Sequence, residues 1–406
     1  MAPTNDEMQA ISSVRDHAIA STSEYLKDPS NEGARVKART AAYNLFLELQ
    51  SGSEAFLYRM EMVVAADVLR YLMSLGIVEA IPTGQSITAA ELAQKLGCEQ
   101  SFLIRLMRVL VAAGVFAETS QDTYTHTKRS QDLLEPGFAW FYEIMMDDFF
   151  SGPSACLARL EEYYSTHEKK CPDDPMHNPY NWSQGMDGKD WHMVFARTPD
   201  RLRKVGAAFG SRWATMPVCG IYPFENLAAE TQASADRTFI VDVGGAVGGS
   251  MKELKQAHPE LRGKFVVQDL PRVIDAIPEN FLPSDIEPMV ADFWQPQPVK
   301  NAKVYYLRRV LHDWPDAECV KILKNQADAM SDDSIILIAE MVVPKMVQRE
   351  DCYVYWMDLT MMMFAGGERS EADWRRLFDQ SGLELVKIWP SSIGTQCVIE
   401  GRKKRS

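Results

Sequence analysis

The sequence predicts an α/β protein: a mostly parallel sheet with an antiparallel edge strand, preceded by a mainly helical half that includes a winged helix. Three observations carry this. From Thr238 onward, short β-branched runs at 239–243, 265–269, 304–307 and 335–339 alternate with helical stretches. Continuous apolar strands spaced by helices describe a parallel sheet buried on both faces. Two later runs, 385–389 and 396–400, follow each other through a turn, as an antiparallel edge pair does. Upstream of residue 220, apolar residues recur instead at helical spacing.

Size and composition bound the rest. At roughly 150 residues per domain, 406 residues suggest two or three domains. They are expected at 1–135 (helical and winged helix), 136–230 (helical pocket and linker region) and 231–406 (sheet). Hydrophobic residues form 46% of the chain, which permits a sizeable core. A net charge of −13 repels phosphate backbones and anionic membrane faces, so neither nucleic acid nor membrane is expected as a partner. Seven scattered cysteines form no CxxC pair, and no cluster with metal-ligand spacing is visible, so no metal is expected. The polar, acidic start lacks a basic lead into an apolar stretch, and no run approaches the ~18 apolar residues of a membrane span. A cytoplasmic protein is the expectation.

Taken in order, the first fifty residues show a weak helical pattern and no chemistry. Phe56, Leu57, Met60, Val64, Val68 and Leu72 then mark one helix, stopped by Gly76. Thr88 and Glu91 form a capping box for a helix ended by Gly97. A second helix runs from Ser101 to Gly114, and 115–116 with 124–126 alternate like the strands of a wing. Winged helices often bind DNA. Here 86–130 carries five basic against four acidic residues, which favours a structural or dimer-forming module.

Residues 131–225 are rich in aromatics and methionine, among them Met145, Met146, Phe149, Trp182 and Trp191. Such a stripe serves as core and, secondarily, as an adaptable apolar pocket.

Chemistry concentrates in the sheet half. Between the first strand and the next helix, 241–249 reads VDVGGAVGG. Glycines there permit a sharp turn and close approach of a ligand to the backbone, and the helix start offers amides to an anion. Gly244 and Gly249 fit a dinucleotide pattern, but Ala246 stands where its second glycine belongs, so the loop alone is a weak sign. Asp269 ends the second strand, where an acid accepts ribose hydroxyls. Asp292, beside Phe293 and Trp294, offers an acceptor next to a flat apolar surface. Together these describe a nucleoside site, and the absence of a GK[ST] after the loop argues against a triphosphate.

His312 and Asp313 follow the strand at 304–307, in LRRVLHDWPD. One histidine among seven is often simply a buried, satisfied side chain. At a strand end above a nucleoside site it also suits a base, and Glu340 with Glu368 would fix its tautomer and raise its basicity.

At these residues a resemblance appears. VDVGGAVGG, VVQDLPRVI, ADFW, LRRVLHDWPD, IAEMVVP and GGERS occur in the order seen in caffeic-acid-type O-methyltransferases, and the chain resembles their fungal secondary-metabolite branch. The likeness is specific over 238–400 and looser over 56–130. It implies a class I methyltransferase Rossmann-like sheet, a winged-helix dimerisation domain, a homodimer, and S-adenosylmethionine as cofactor. Carried over, it puts Asp242, Gly244, Gly245, Asp269, Leu270, Asp292, Phe293 and Arg308 at the cofactor. It makes His312 the base, flanked by Glu340 and Glu368, and Asp313 a substrate contact. Met145, Met146, Phe149, Trp182, Met357, Met361 and Phe364 then wall the acceptor, an aromatic or polyketide-type molecule. Arg308 stands where plant relatives have lysine, and Ala246 replaces the third glycine of the family's GGG. The reaction implied is methylation of a hydroxyl. A second reading is a SAM-fold pericyclase or dehydratase acting on a polyketide or pyridone without methyl transfer, to which Arg308, Arg309 and His126 would contribute. A third, a DNA-binding or scaffold protein, is opposed by the charge balance.

Overall fold

The computed structural model describes residues 4–210, 216–233, 237–348, 352–392 and 395–404. Three long helices, Asn5–Lys27, Glu32–Leu49 and Gly52–Ser74, open the chain. Thr4 and Ser51 build capping boxes on the first and third, which explains where these starts fall. The third helix buries Ala65, Leu69 and Leu72 but leaves its N-terminal half apolar and uncovered: Phe56, Leu57, Met60, Val63 and Val64 are all exposed.

The wing follows. β1 (Ile87–Thr88) pairs with β3 (Thr123–His126), which pairs in turn with β2 (Phe116–Ser120), around helices Ala89–Leu96 and Gln100–Ala112. Thr88 and Glu91 form the expected capping box, and Gly97 closes that helix at φ 66°. His126 is spent inside this module: its Nδ1 meets Ser130 Oγ at 2.9 Å, and Nε2 faces the carbonyls of Val78 and Ile81 at 3.1 Å. It is a buried structural histidine, which removes it from the rearrangement reading.

The sheet is built from β4 (Thr238–Val243), β5 (Lys264–Asp269), β6 (Ile286–Val290), β7 (Val304–Arg308), β8 (Ile335–Val343), β9 (Arg369–Ser370), β10 (Leu383–Pro390) and β11 (Gln396–Lys403). Its order is β10-β11-β8-β7-β4-β5-β6, with β9 paired to β8. β6 through β8 run parallel, while β11 is antiparallel to both β8 and β10. β6 escaped the sequence reading because it is a half-exposed edge strand containing Pro288.

Alternate residues of the central strands feed two cores. Val241, Val243, Tyr305, Leu307, Ile336 and Ile338 face helices Asp316–Ala327 and Glu371–Gln380; Phe239, Ile240, Val304, Tyr306 and Leu337 face Met251, Leu254 and Phe224. Burial on both sides is what makes these strands continuous apolar runs. The chain winds from β4 to β5 and β6 on one side and returns to β7 on the other, so a crevice opens at the carboxyl ends of β4 and β7.

Over these strand ends lies a helical roof. Met145, Phe149, Tyr180, Trp191, Phe195, Met357, Met361 and Phe364 pack in one buried cluster. Within it Met145–Phe150 is a π-helix, a turn form often found at functional sites. Arg70 grips Asp147 of this turn through two hydrogen bonds of 2.8 and 2.6 Å, joining the third helix to the roof.

Candidate active site

The glycine loop leaves β4 with three residues in the left-handed region: Gly244 at φ 70°, Ala246 at 51° and Gly248 at 82°. Gly245 must be glycine, because a Cβ there would stand 2.6 Å from Asp242 Oδ2. The Ala246 amide donates to Asp269 Oδ2 at 2.9 Å, and Asp269 Oδ1 accepts from Leu270 at 2.7 Å, so the second strand's acid is docked against the loop. Asp292 Oδ1 accepts from the Trp294 amide at 3.0 Å. Phe293 and Trp294 meet Trp314 edge-on at 6.2 and 4.8 Å, giving the flat apolar surface the sequence suggested.

Beneath the loop, Asp242 is fully buried and its Oδ2 has no hydrogen-bond partner. Burial pushes this carboxyl up to about 7, with Arg308 pulling the other way. Arg308 donates from Nη2 to the Met216 carbonyl at 2.8 Å, and its buried Nε likewise has no partner.

After β7, Leu311–Asp313 form a single 3₁₀ turn carrying His312, itself only 3% exposed. Four groups hold this turn. Glu340 Oε1 accepts the amides of Val310, Leu311 and His312 at 3.1, 3.0 and 3.4 Å. Glu368 Oε1 meets His312 Nδ1 at 2.8 Å. The Gly367 amide donates to the His312 carbonyl at 2.9 Å. Arg369 donates to the carbonyls of Leu311 and Trp314 at 2.8 and 2.6 Å.

Glu340 Oε2 stands 3.7 Å from His312 Nδ1, beyond hydrogen-bond reach, so its main contacts are to the backbone. On the other side of the ring, Nε2 lies 3.5 Å from Asp313 Oδ1. Burial by itself disfavours the imidazolium, but the charges of Glu340, Asp313 and Glu368 outweigh it and push His312 up to about 9. Burial also raises Asp313 and Glu340 above the ordinary carboxylate range.

His312, Glu340 and Glu368 bring ligand atoms within 4.8 Å of one another, the one such trio among the described residues. Sequence spacing gave no hint of a ligand cluster, because the three come from separate strand ends. The 2.8 Å contact and the amides on Glu340 make it first a hydrogen-bonded acid–imidazole group.

A narrow crevice lined by Met216, Arg309, His312, Glu340, Met341 and Gln396 borders this group. Arg309 sits there at φ 56°, a conformation uncommon for a side-chain-bearing residue. A larger open groove, lined by Leu160, Tyr164, Lys169 and Cys171 among others, touches none of the residues named for chemistry.

Of the expected wall residues, Met145, Phe149, Met357, Met361 and Phe364 share the roof cluster. Met146 is buried but outside that cluster. Trp182 packs elsewhere, edge-on to Tyr163 at 5.5 Å with the Arg159 guanidinium 4.4 Å above its ring. Sequence reasoning missed Arg369, although it lies inside the GGERS run. Its charge type gave the only sign: its Nη atoms reach backbone carbonyls and its Nε donates to Asp316 Oδ1 at 2.9 Å, partners that spacing does not reveal.

Comparisons with known proteins converge on one family. Residues 228–384 match the O-methyltransferase domain family, and 58–136 match the O-methyltransferase dimerisation domain family. The O-methyltransferase opaF of Aspergillus ustus is 33% identical over 345 residues, covering 84% of this chain and 80% of that protein. The O-methyltransferase mfmE of Annulohypoxylon moriforme is 31% identical over 383 residues, 91% of each. Among solved structures, OxaC in complex with SAH and oxaline superposes with a TM-score of 0.83 at 32% identity, over 98% of this chain and 100% of that one. LepI in complex with SAM superposes at 0.84 with 23% identity, over 95% of this chain and 98% of that one, a likeness of fold.

Proposed function

This chain belongs to the S-adenosylmethionine-dependent O-methyltransferase family, and from that premise we propose that it methylates a hydroxyl of an aromatic or polyketide-type secondary metabolite with His312 as general base. One observation carries the reading: a buried imidazole bonded at Nδ1 to Glu368 at 2.8 Å, beside the crevice where β4 and β7 end. A carboxylate at Nδ1 fixes the tautomer whose free lone pair is on Nε2.

The crevice suits the methyl donor. The partnerless Asp242 Oδ2 and Arg308 Nε match the ammonium and carboxylate of its amino-acid tail. Asp269 with Leu270 would take the ribose, and Asp292 with Phe293 the adenine side; Gly244 and Gly245 keep side chains out of the approach. When bound, the cofactor supplies an electrophilic sulfonium methyl.

The chain's own residues then act on the acceptor. A phenol with pKa ~10 keeps its proton at neutral pH and is a poor nucleophile. His312 Nε2 takes that proton as the oxygen–methyl bond forms and the sulfur–methyl bond breaks. Glu368 and Glu340 stabilise the resulting imidazolium, and Asp313 lies where it can orient the hydroxyl. The roof of Met145, Phe149, Met357, Met361 and Phe364 excludes water. General-base help of this kind contributes ~10²–10⁴-fold, and positioning supplies much of the rest.

The domain roles follow as 1–135 for pairing, 136–230 for the roof and 231–406 for catalysis. The uncovered apolar face of Gly52–Ser74, which overlaps the matched dimerisation segment 58–136, supports a homodimer. No helix among the described residues is long and apolar enough to cross a membrane. Supplying methyl-labelled cofactor with a panel of hydroxylated aromatics and polyketides tests the chemistry. Label in the product, lost by orders of magnitude in His312→Ala, is the expected result. Product formed without label would establish rearrangement instead, and unchanged turnover in His312→Ala would remove the base.

A further inference from the structure

We propose that Trp191 is a specificity residue of the acceptor site, donating its indole N–H to a carbonyl or ring-oxygen acceptor carried on the ring system of the substrate. The inference rests on the methyl-transfer reading and names a feature of its substrate.

Trp191 is 5% exposed, and its Nε1 has no hydrogen-bond partner. An indole N–H can only donate, and a buried donor left unmade is costly. The ring sits at a telling place. Its centroid lies 4.4 Å from Phe364 and 6.2 Å from Trp314. Phe364 comes two residues before Gly366, which presses on the His312 backbone, and Trp314 comes two after His312. The helix Trp191–Phe195 therefore leans on both segments that frame the imidazole. Its next residue, His192, stacks on Trp191 at 3.6 Å and lies 5.2 Å from Trp314. Trp314 in turn meets Phe293 edge-on at 6.2 Å, which sets the helix beside the ring system between the cofactor side and the imidazole.

The surroundings narrow the ligand. Buried members of the roof cluster are mainly methionines, phenylalanines and aliphatics. Three of them carry a side-chain donor: Cys156, a weak one, Tyr180 and Trp191. Tyr180 is committed to Asp148 at 2.8 Å. Among the buried members of such an apolar roof, one strong donor left unspent selects a flat molecule bearing a hydrogen-bond acceptor, and discriminates against its deoxy analogue.

The test is calorimetric binding of two probes, 2-hydroxyanthraquinone and 2-hydroxyanthracene, to full-length protein saturated with S-adenosylhomocysteine. Wild type should prefer the quinone about tenfold, the worth of one hydrogen bond, against the order of their hydrophobicity. Trp191→Phe should lower quinone affinity to the level of the anthracene and leave the anthracene unchanged, which doubles as a check on folding. Absence of preference in wild type, a preference kept in Trp191→Phe, or equal loss of both probes overturns the proposal. Binding is read without turnover, so failure of labelled methyl transfer in parallel samples would sink the catalytic reading alone.

Discussion

Gly366 lies so close to His312 that a Cβ on it would stand 2.1 Å from the His312 carbonyl oxygen. The neighbouring Gly367 donates its amide to that same oxygen at 2.9 Å. The imidazole is thus held at both ends: its ring by Glu368, its backbone by the glycine pair, by Arg369 and by Glu340. Only glycine allows the two loops to meet.

Gly366→Ala separates position from titration. It removes no ionisable group yet forces the His312 turn away from the 366–368 loop. A displacement near 1 Å costs ~10²-fold in rate, so methyl-label incorporation should fall by about that factor. Rates with labelled cofactor, alongside calorimetric binding of S-adenosylhomocysteine, check it. Wild-type turnover in this variant would show that the close contact does not position the base.

The pH profile should run alkaline. His312 is held up to about 9 against an ordinary 6.5, so in the free enzyme it is largely imidazolium at neutrality and cannot accept a proton. kcat/KM should therefore climb as pH rises through about 9, since that ratio reports the free enzyme. Glu368→Gln removes a charge that favours imidazolium, so its midpoint should move toward neutrality. The stability linkage has the same origin. A folded value above the unfolded one stabilises fully below 6.5 and is lost as pH rises through about 9. Relative to His312→Gln, the wild-type Tm should fall across that window.

Cofactor affinity should titrate in the opposite half of the scale. Burial raises Asp242 from 3.8 to about 7, and only its ionised form can hold an ammonium. Affinity for S-adenosylhomocysteine should weaken as pH drops below about 7. Asp242→Asn should abolish that dependence and weaken binding about 10- to 100-fold, the worth of a hydrogen bond to a charged group. Calorimetry on either side of about pH 7 measures both; a pH-independent wild type would refute the assignment.

Pairing should depend on the uncovered helix face. Phe56 is 64% and Met60 48% exposed on one chain, an unusual cost in water for side chains of this size. Phe56→Asp with Met60→Asp should convert a dimer to monomers in sedimentation velocity. A wild-type monomer would remove the homodimer from the proposal.

The sequence showed most of what depends on short-range pattern. Thr88, Glu91 and Gly97 act locally and fell where expected, and buried strands such as β4 and β7 announced themselves as apolar runs. Asp269 and His312 could be placed at strand ends because the strands they follow are buried apolar runs, whereas Asp292 follows a half-exposed edge strand that the pattern did not show. Other features depended on long-range packing. Glu340 is occupied by three amides of another strand's loop, and Arg369 by two carbonyls, which no spacing encodes. Trp182 and Met146 shared an apolar pattern with the roof residues, yet Trp182 packs against Tyr163 and Arg159 and Met146 lies outside the roof cluster. His126 looked chemical in the sequence and is structural because three groups of its own module surround it.

Ala246 carries a strain the family's glycine would not. It sits at φ 51° with its amide bonded to Asp269. A side-chain-bearing residue in the left-handed region costs ~1–2 kcal/mol, whereas glycine gives up ~0.5–1 kcal/mol of unfolded-chain entropy. Ala246→Gly should therefore raise stability by about 0.5–1 kcal/mol, the difference of those two terms. Ala246→Val should act in the other direction, because a β-branched side chain tolerates positive φ still less, and it should also weaken S-adenosylhomocysteine binding by turning the amide from Asp269. Thermal melts of the three proteins at one pH decide the matter: a lower Tm for the glycine variant would mean that the loop's left-handed turn is relaxed rather than held under strain.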